Sequence, residues 1–97
     1  MRRAAEPADE AAVTAAMVAE GLDDVHAYDD TPAARYPAHE HGYDKVLHCV
    51  AGGVVFTTAD GQLPLEAGDR LDLDRGTRHA AVIGPAGVRL VEGHRPG

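Results

Sequence analysis

Three histidines and one lysine carry the chemistry that this sequence offers. In HEHGYDK, residues 39–45, His39 and His41 stand one residue apart, and Lys45, the chain's one lysine, closes the stretch. Residues two apart on a β-strand share a face, so both imidazoles point to one side with Glu40 on the other. That is the spacing by which a strand gives a metal two nitrogens. A second stretch, GDRLDLDRGTRH, runs from a Gly68-Asp69 turn through an alternating strand to a turn at Gly76 and ends on His79. Carried across a barrel and back, the chain delivers a third imidazole. Borderline divalent cations such as Zn, Fe, Ni, Cu and Mn accept imidazole, and three protein ligands with a position left open suit a catalytic or substrate-binding centre.

The elements that must position these groups are mostly strands. From Tyr36 onward the sequence breaks into short apolar runs, KVLHCVA, VVFTT, QLPLE, RLDLD, HAAVIG and VRLVEGH, separated by Gly, Pro and Asp. This spacing predicts an all-β sandwich or barrel. Asp60-Gly61 between two such runs marks a hairpin. RLDLD alternates, with Leu71 and Leu73 facing a core and the aspartates facing water. VHAY, residues 25–28, predicts a short edge strand, and DDTPAARYP a loop leading into the histidine strand. Upstream, PADEAAVTAAMVAE, residues 7–20, predicts one helix, with Pro7 in the first turn and Gly21 as its stop. Its apolar stripe of Val13, Ala16 and Met17 is thin and interrupted at Glu20, which suits a strap on the outside of the fold.

Composition limits the partners. Ninety-seven residues make one domain with one modest core, divided here into an N-terminal helix and strap, 1–34, and a barrel, 35–97. Sixteen acids against nine Lys and Arg give a formal net charge of -7, a field that repels nucleic-acid backbones and anionic membrane surfaces. No apolar run is long enough to span a bilayer, and MRRAAEPADEAA lacks the apolar segment of a signal peptide. A lone cysteine, Cys49, forms no intramolecular disulfide, so a cytoplasmic location is expected.

In its motifs the chain resembles the cupin superfamily. The first cupin motif has two histidines one apart, a glutamate four residues on and a glycine seven further; His39, His41, Lys45 and Gly52 stand in those places. The second has glycine, proline, glycine, histidine and often asparagine; Gly68, Asp74, Gly76, His79 and Ile83 stand there. The histidines and glycines match, while the acid, the proline and the asparagine do not. The resemblance implies a double-stranded β-helix, or jelly-roll barrel, with a divalent transition metal (Zn, Fe, Mn or Ni) held by His39, His41 and His79. Cupins include dioxygenases, isomerases and non-enzymatic binding modules, and the fold does not choose among them.

Lys45 is the departure that matters. It shares parity with His41 and so points to the interior where the family glutamate would bind metal. At about 4 Å and an effective dielectric near 20, an ammonium and a cation repel by about 4 kcal/mol per unit of metal charge. Four outcomes relieve this: the lysine is deprotonated, it swings to the barrel mouth, an anionic substrate bridges it to the metal, or there is no metal. The third is preferred, with Lys45 as anchor for a small anionic molecule. Asp44, one position earlier, is the candidate fourth ligand if a bulge or the Gly42 turn rotates it inward. Cys49 shares the parity of Lys45 and is expected to line the cavity, and Tyr43, like Tyr36, flanks the histidine strand within reach of a ligand. His48 should face away, on the surface or an interface; His94 is read as an end-of-strand or rim residue and His26 as structural. The sheet edges of a small barrel call for a homodimer. The expected function is a metal-binding cupin that binds or transforms a small anionic metabolite; the alternative is a non-catalytic interaction module with a metal-free site.

Overall fold

Two long strands organise the chain. The computed structural model describes residues 2–5 as backbone and residues 9–96 in full; Pro7, the expected first-turn proline, lies outside them. The elements are β1 (Arg2–Ala5), α1 (Glu10–Ala19), β2 (Asp23–Asp30), β3 (Arg35–His39), β4 (Lys45–Thr58), β5 (Gly61–Glu66), β6 (Asp69–Leu73) and β7 (His79–His94). All pairings are antiparallel, in the order β1-β6-β4-β7-β2, with β3 added on β7 and β5 on β4. The first 34 residues, expected as a strap, thus supply two strands of the same sheet. VHAY is the middle of an eight-residue strand. The expected loop 29–37 contains the start of β3, whose Pro37 is tolerated because the register shifts between Tyr36 and His39.

β4 and β7 pair along nearly their whole length and bend together. Residues 45–49 of β4 oppose 90–94 of β7, residues 54–57 oppose 80–83, and the register slips between these two arms. Gly52 sits at the slip with φ 69°, and a Cβ there would lie 2.1 Å from the carbonyl oxygen of Gly87, itself at φ 76°. Only glycine allows the strands to cross this closely. The bend turns the inner faces of the two arms toward each other. Leu47, Cys49, Leu71, Leu73, Val88 and Leu90 from one arm and its neighbours pack against Val54, Phe56, Leu65, Ala81 and Ile83 from the other.

The outer face of the first arm is covered by α1. Asp9 caps the helix by accepting from Ala12 N at 3.0 Å, and Gly21, at φ 92°, follows its end. Val13 and Met17 pack with Leu22 on Val46 and Val91. Glu20, which seemed to interrupt the stripe, is an anchor: its carboxylate accepts two hydrogen bonds from the Arg70 guanidinium, both at 2.7 Å, and one from Arg95 at 3.0 Å. Both arginines also bind Asp72, at 2.9 and 3.0 Å. Asp72 is therefore buried rather than wet, because the helix end and two arginines roof the outer face of β6. His48 is likewise buried, on the surface that faces Ala12, Val13 and Met17, rather than exposed. Among the described residues no helix is long and apolar enough to cross a membrane.

Two outcomes test this account. Gly52→Ala combines a left-handed backbone with a backbone collision and should cost roughly 2–5 kcal/mol. Gly61→Ala, at φ 117° in open space, bears only the conformational part; equal Tm losses for the two would refute the close-approach argument. The Arg70 hydrogen bonds hold the Glu20 carboxyl below its usual value of 4.5. Burial pushes Asp72 up from 3.8, but the hydrogen bonds from Arg70 and Arg95 outweigh it and leave it lowered. A depressed carboxyl stabilises the fold fully above its unfolded pKa and loses that stabilisation as pH falls through the folded one. Urea midpoints should therefore drop as pH falls below about 4.5, with a shallower drop for Glu20→Gln.

Candidate metal centre

The site lies at the open end of the folded ribbon, opposite the bend. His39 and His79 are cross-strand partners in the β3–β7 ladder, and their rings approach to 4.4 Å between centroids. His41 does not share the strand of His39, as the alternation argument expected. It lies beyond the end of β3, in the segment 40–44 that leads to β4. Its ring nonetheless comes to 4.9 Å from that of His39 and 5.3 Å from that of His79.

Contacts with a neighbouring turn hold His41 in place. Gly76 N donates to the His41 carbonyl at 2.9 Å, so a glycine of the second motif fixes a histidine of the first. Asp44 accepts from Arg75 N at 2.7 Å and from Arg75 Nε at 3.4 Å, while its carbonyl accepts from Arg95 N at 3.0 Å. The backbone bond from Arg75 holds the Asp44 carboxyl below its usual range. Asp44, expected as a fourth ligand, is turned toward Arg75, and the cluster of potential ligand atoms contains the three histidines without it. Its parity had pointed it outward, and the 74–77 turn gives it partners there.

The protonation of the rings follows from their partners. His39 Nδ1 lies 2.9 Å from the Pro37 carbonyl oxygen and His79 Nδ1 lies 2.8 Å from that of Thr77. A carbonyl only accepts, so each Nδ1 carries a proton, and in the neutral ring the lone pair lies on Nε2. His41 Nε2 is buried without a hydrogen-bond partner. Leaving such an atom unmatched costs about 1–3 kcal/mol. Burial, and next the charge of Lys45, hold His41 below its ordinary pKa; burial does the same at His79, which is 2% exposed. One ring nitrogen from each of the three lies within 4.8 Å of the others. Three close imidazoles, two fixed by carbonyls through Nδ1 and one with an unmatched nitrogen, fit a divalent metal.

Lys45 points inward and has a partner that the sequence analysis missed. Its Nζ lies 3.0 Å from Glu92 Oε1, with 13% and 11% of the two side chains exposed. Glu92 also accepts from the Tyr28 hydroxyl at 3.3 Å and lies 3.1 Å from His94 Nε2. Burial pushes its carboxyl up, but the Lys45 charge and the His94 hydrogen bond win and hold it below its usual value. The ammonium is thus matched within the protein, a relief outside the four considered. The signal was available: Glu92 shares parity with Val88 and Leu90, the inward positions of the last strand. His94, read as an end-of-strand or rim residue, is the last residue of β7 and stacks on Tyr43 at 4.0 Å, and the Tyr43 ring is 5.0 Å from that of His41. Tyr43 therefore backs the metal cluster and is not among the residues lining the cavity.

A cavity of about 260 Å³ opens beside the cluster. His39, His41, His79 and Lys45 line it together with Tyr28, Asp30 and Tyr36, and Val54, Phe56, Ala81, Ile83 and Leu90 form its apolar wall. Cys49, expected there, is fully buried in the core beneath, its thiol directed at the carbonyls of Ala51 and Gly52. Burial pushes that thiol up to about 11, which makes it a packing group and not a nucleophile. His26, taken as structural, places Nδ1 2.6 Å from the Asp24 carbonyl oxygen.

No family model matches the chain, and no curated protein matches it either. Solved structures do. It is similar to a cupin superfamily protein from Desulfitobacterium hafniense, with a TM-score of 0.66 and 16% identity over 75% of this chain and 66% of that one. An RmlC-like cupin from Shewanella frigidimarina gives 0.63 and 24% over 73% and 63%. This chain has the cupin fold. A third similar structure, the DMSP lyase DddQ from Ruegeria pomeroyi, gives 0.67 and 19% over 74% of this chain and 37% of that one. The likeness accounts for the jelly-roll course of the strands; the site chemistry rests on the residues themselves.

Asp44→Ala frees the segment that carries His41 without touching an imidazole. Metal affinity measured by competition with a chelator should fall about tenfold, the size of effect seen when groups that orient ligands are lost. An affinity unchanged from the parent would remove the positioning role.

Proposed function

We propose that this cupin-fold protein holds a divalent transition metal on His39, His41 and His79 and binds a small anionic metabolite beside it. The observation that carries the reading is the buried, unpartnered Nε2 of His41 among imidazoles whose Nδ1 protons are already committed to backbone carbonyls. When bound, such a metal supplies Lewis acidity to a ligand oxygen in a position that the protein leaves open. The chain's own residues bind and orient. Lys45 presents an ammonium to the cavity, and Glu92, which does not line it, pairs with that ammonium from behind. Phe56, Ile83 and Leu90 exclude water from the apolar side, which strengthens the attraction between Lys45 and an anion. The Tyr28 hydroxyl spends its proton on Glu92, and burial pushes its ionisation well above the usual tyrosine value, so it offers lone pairs and stays neutral.

Metal analysis of protein purified without chelator should give about one equivalent per chain, and His41→Ala should lose most of it. Equal content in the two proteins, or none in either, would overturn the centre. The anion role is read with Lys45→Met combined with Glu92→Gln, so that neither charge is left unmatched. Acetate affinity should fall about tenfold while metal is retained; unchanged affinity would remove Lys45 from ligand binding.

A further inference from the structure

The cavity has polar groups at both ends, and the ends differ in sign. His79 begins β7 and Lys45 pairs with His94 at the other end of that strand, so the folding of the ribbon brings both to the open end of the barrel. Asp30 enters from the opposite end, beside Val88 and next to the bend. Its carboxylate lines the same cavity and is fixed by two neutral donors, Thr31 N on Oδ1 at 2.9 Å and the Tyr36 hydroxyl on Oδ2. Each oxygen keeps a further lone pair for a ligand. Tyr28, two residues earlier on the same face of β2, and Tyr36 add aromatic rings to this part of the wall. The stretch between the poles is apolar.

A simple alkyl carboxylate in this cavity would press its hydrocarbon tail against Asp30 and strip water from a charge without replacing it, a costly arrangement. A ligand with a positive group at that end meets a carboxylate and π faces together. We infer that the ligand is zwitterionic: a carboxylate at the metal and Lys45, an ammonium or other onium group against Asp30, Tyr28 and Tyr36, and a short aliphatic spacer along Ile83 and Leu90. This rests on the anion-binding reading of the metal end.

Calorimetry on metal-loaded protein tests it with matched probes: 3-aminopropionate and 4-aminobutyrate against propionate and butyrate, on the parent and on Asp30→Asn. The asparagine keeps its oxygen for Thr31 N and turns its NH2 to the Tyr36 hydroxyl, which can accept as well as donate, so the charge is removed with both contacts satisfied. At least one amino acid should bind about tenfold tighter than its alkyl counterpart, and Asp30→Asn should erase that margin, with the amino acid losing affinity and the alkyl acid holding or gaining it once no charge is desolvated by its tail. Alkyl acids that bind as well as both amino acids overturn the zwitterion while the anion reading stands. A margin that survives Asp30→Asn overturns the assignment to Asp30. If none of the four binds, the anion reading itself fails and takes this inference with it.

Discussion

The site depends on the place where β4 and β7 cross with no side chain between them. Because Gly52 lies against the Gly87 carbonyl, a paired ribbon that would otherwise run on as a flat ladder folds over and faces itself. Everything chemical is downstream of that fold. His79 and Lys45 sit at the far ends of the two arms, distant along the ladder, and become neighbours only because the arms close. Val54, Phe56, Ala81, Ile83 and Leu90 belong both to the core that the closure buries and to the cavity wall, so one act of burial builds core and pocket together.

Once the arms are closed, the site becomes an electrostatic problem. An ammonium and three imidazoles share a small, poorly hydrated volume, and a metal would add to the positive charge. Glu92 offsets the lysine from behind the cavity wall, and burial disfavours the charged forms of His41 and His79. Lys45 is thus matched by an acid supplied from the last strand. The acid faces the lysine instead of the metal cluster, which leaves an all-nitrogen ligand set and a cation at the cavity surface.

Much of this was legible in the residues. The β architecture followed from the short runs and their punctuation, and the motif glycines marked positions of real backbone demand: Gly52 at the close crossing, and Gly76 at a left-handed turn whose N–H holds the His41 carbonyl. Alternation gave the inward direction of Lys45 and of Cys49, but it tells which face a side chain takes and not how deep it lies; Cys49 ends in the core. It failed for His41, which is outside any strand. Glu92 had the right parity but no local sign that its partner would come from a strand 47 positions away in the numbering. Asp72 and His48 looked wet because an outward parity says nothing about a helix laid over that face.

The three imidazoles do not belong to the same mechanical unit. Two are rungs of one ladder, held by backbone bonds on β3 and β7, whereas His41 rides on a short connection fastened by Gly76, Asp44 and Arg75. That connection has no strand pairing of its own, so local opening is expected there before the ladder parts. A bound ion would therefore enter and leave through the transient fraying of one loop, with the barrel intact around it, and the lifetime of the loaded protein would be set by that loop's local opening instead of by global unfolding.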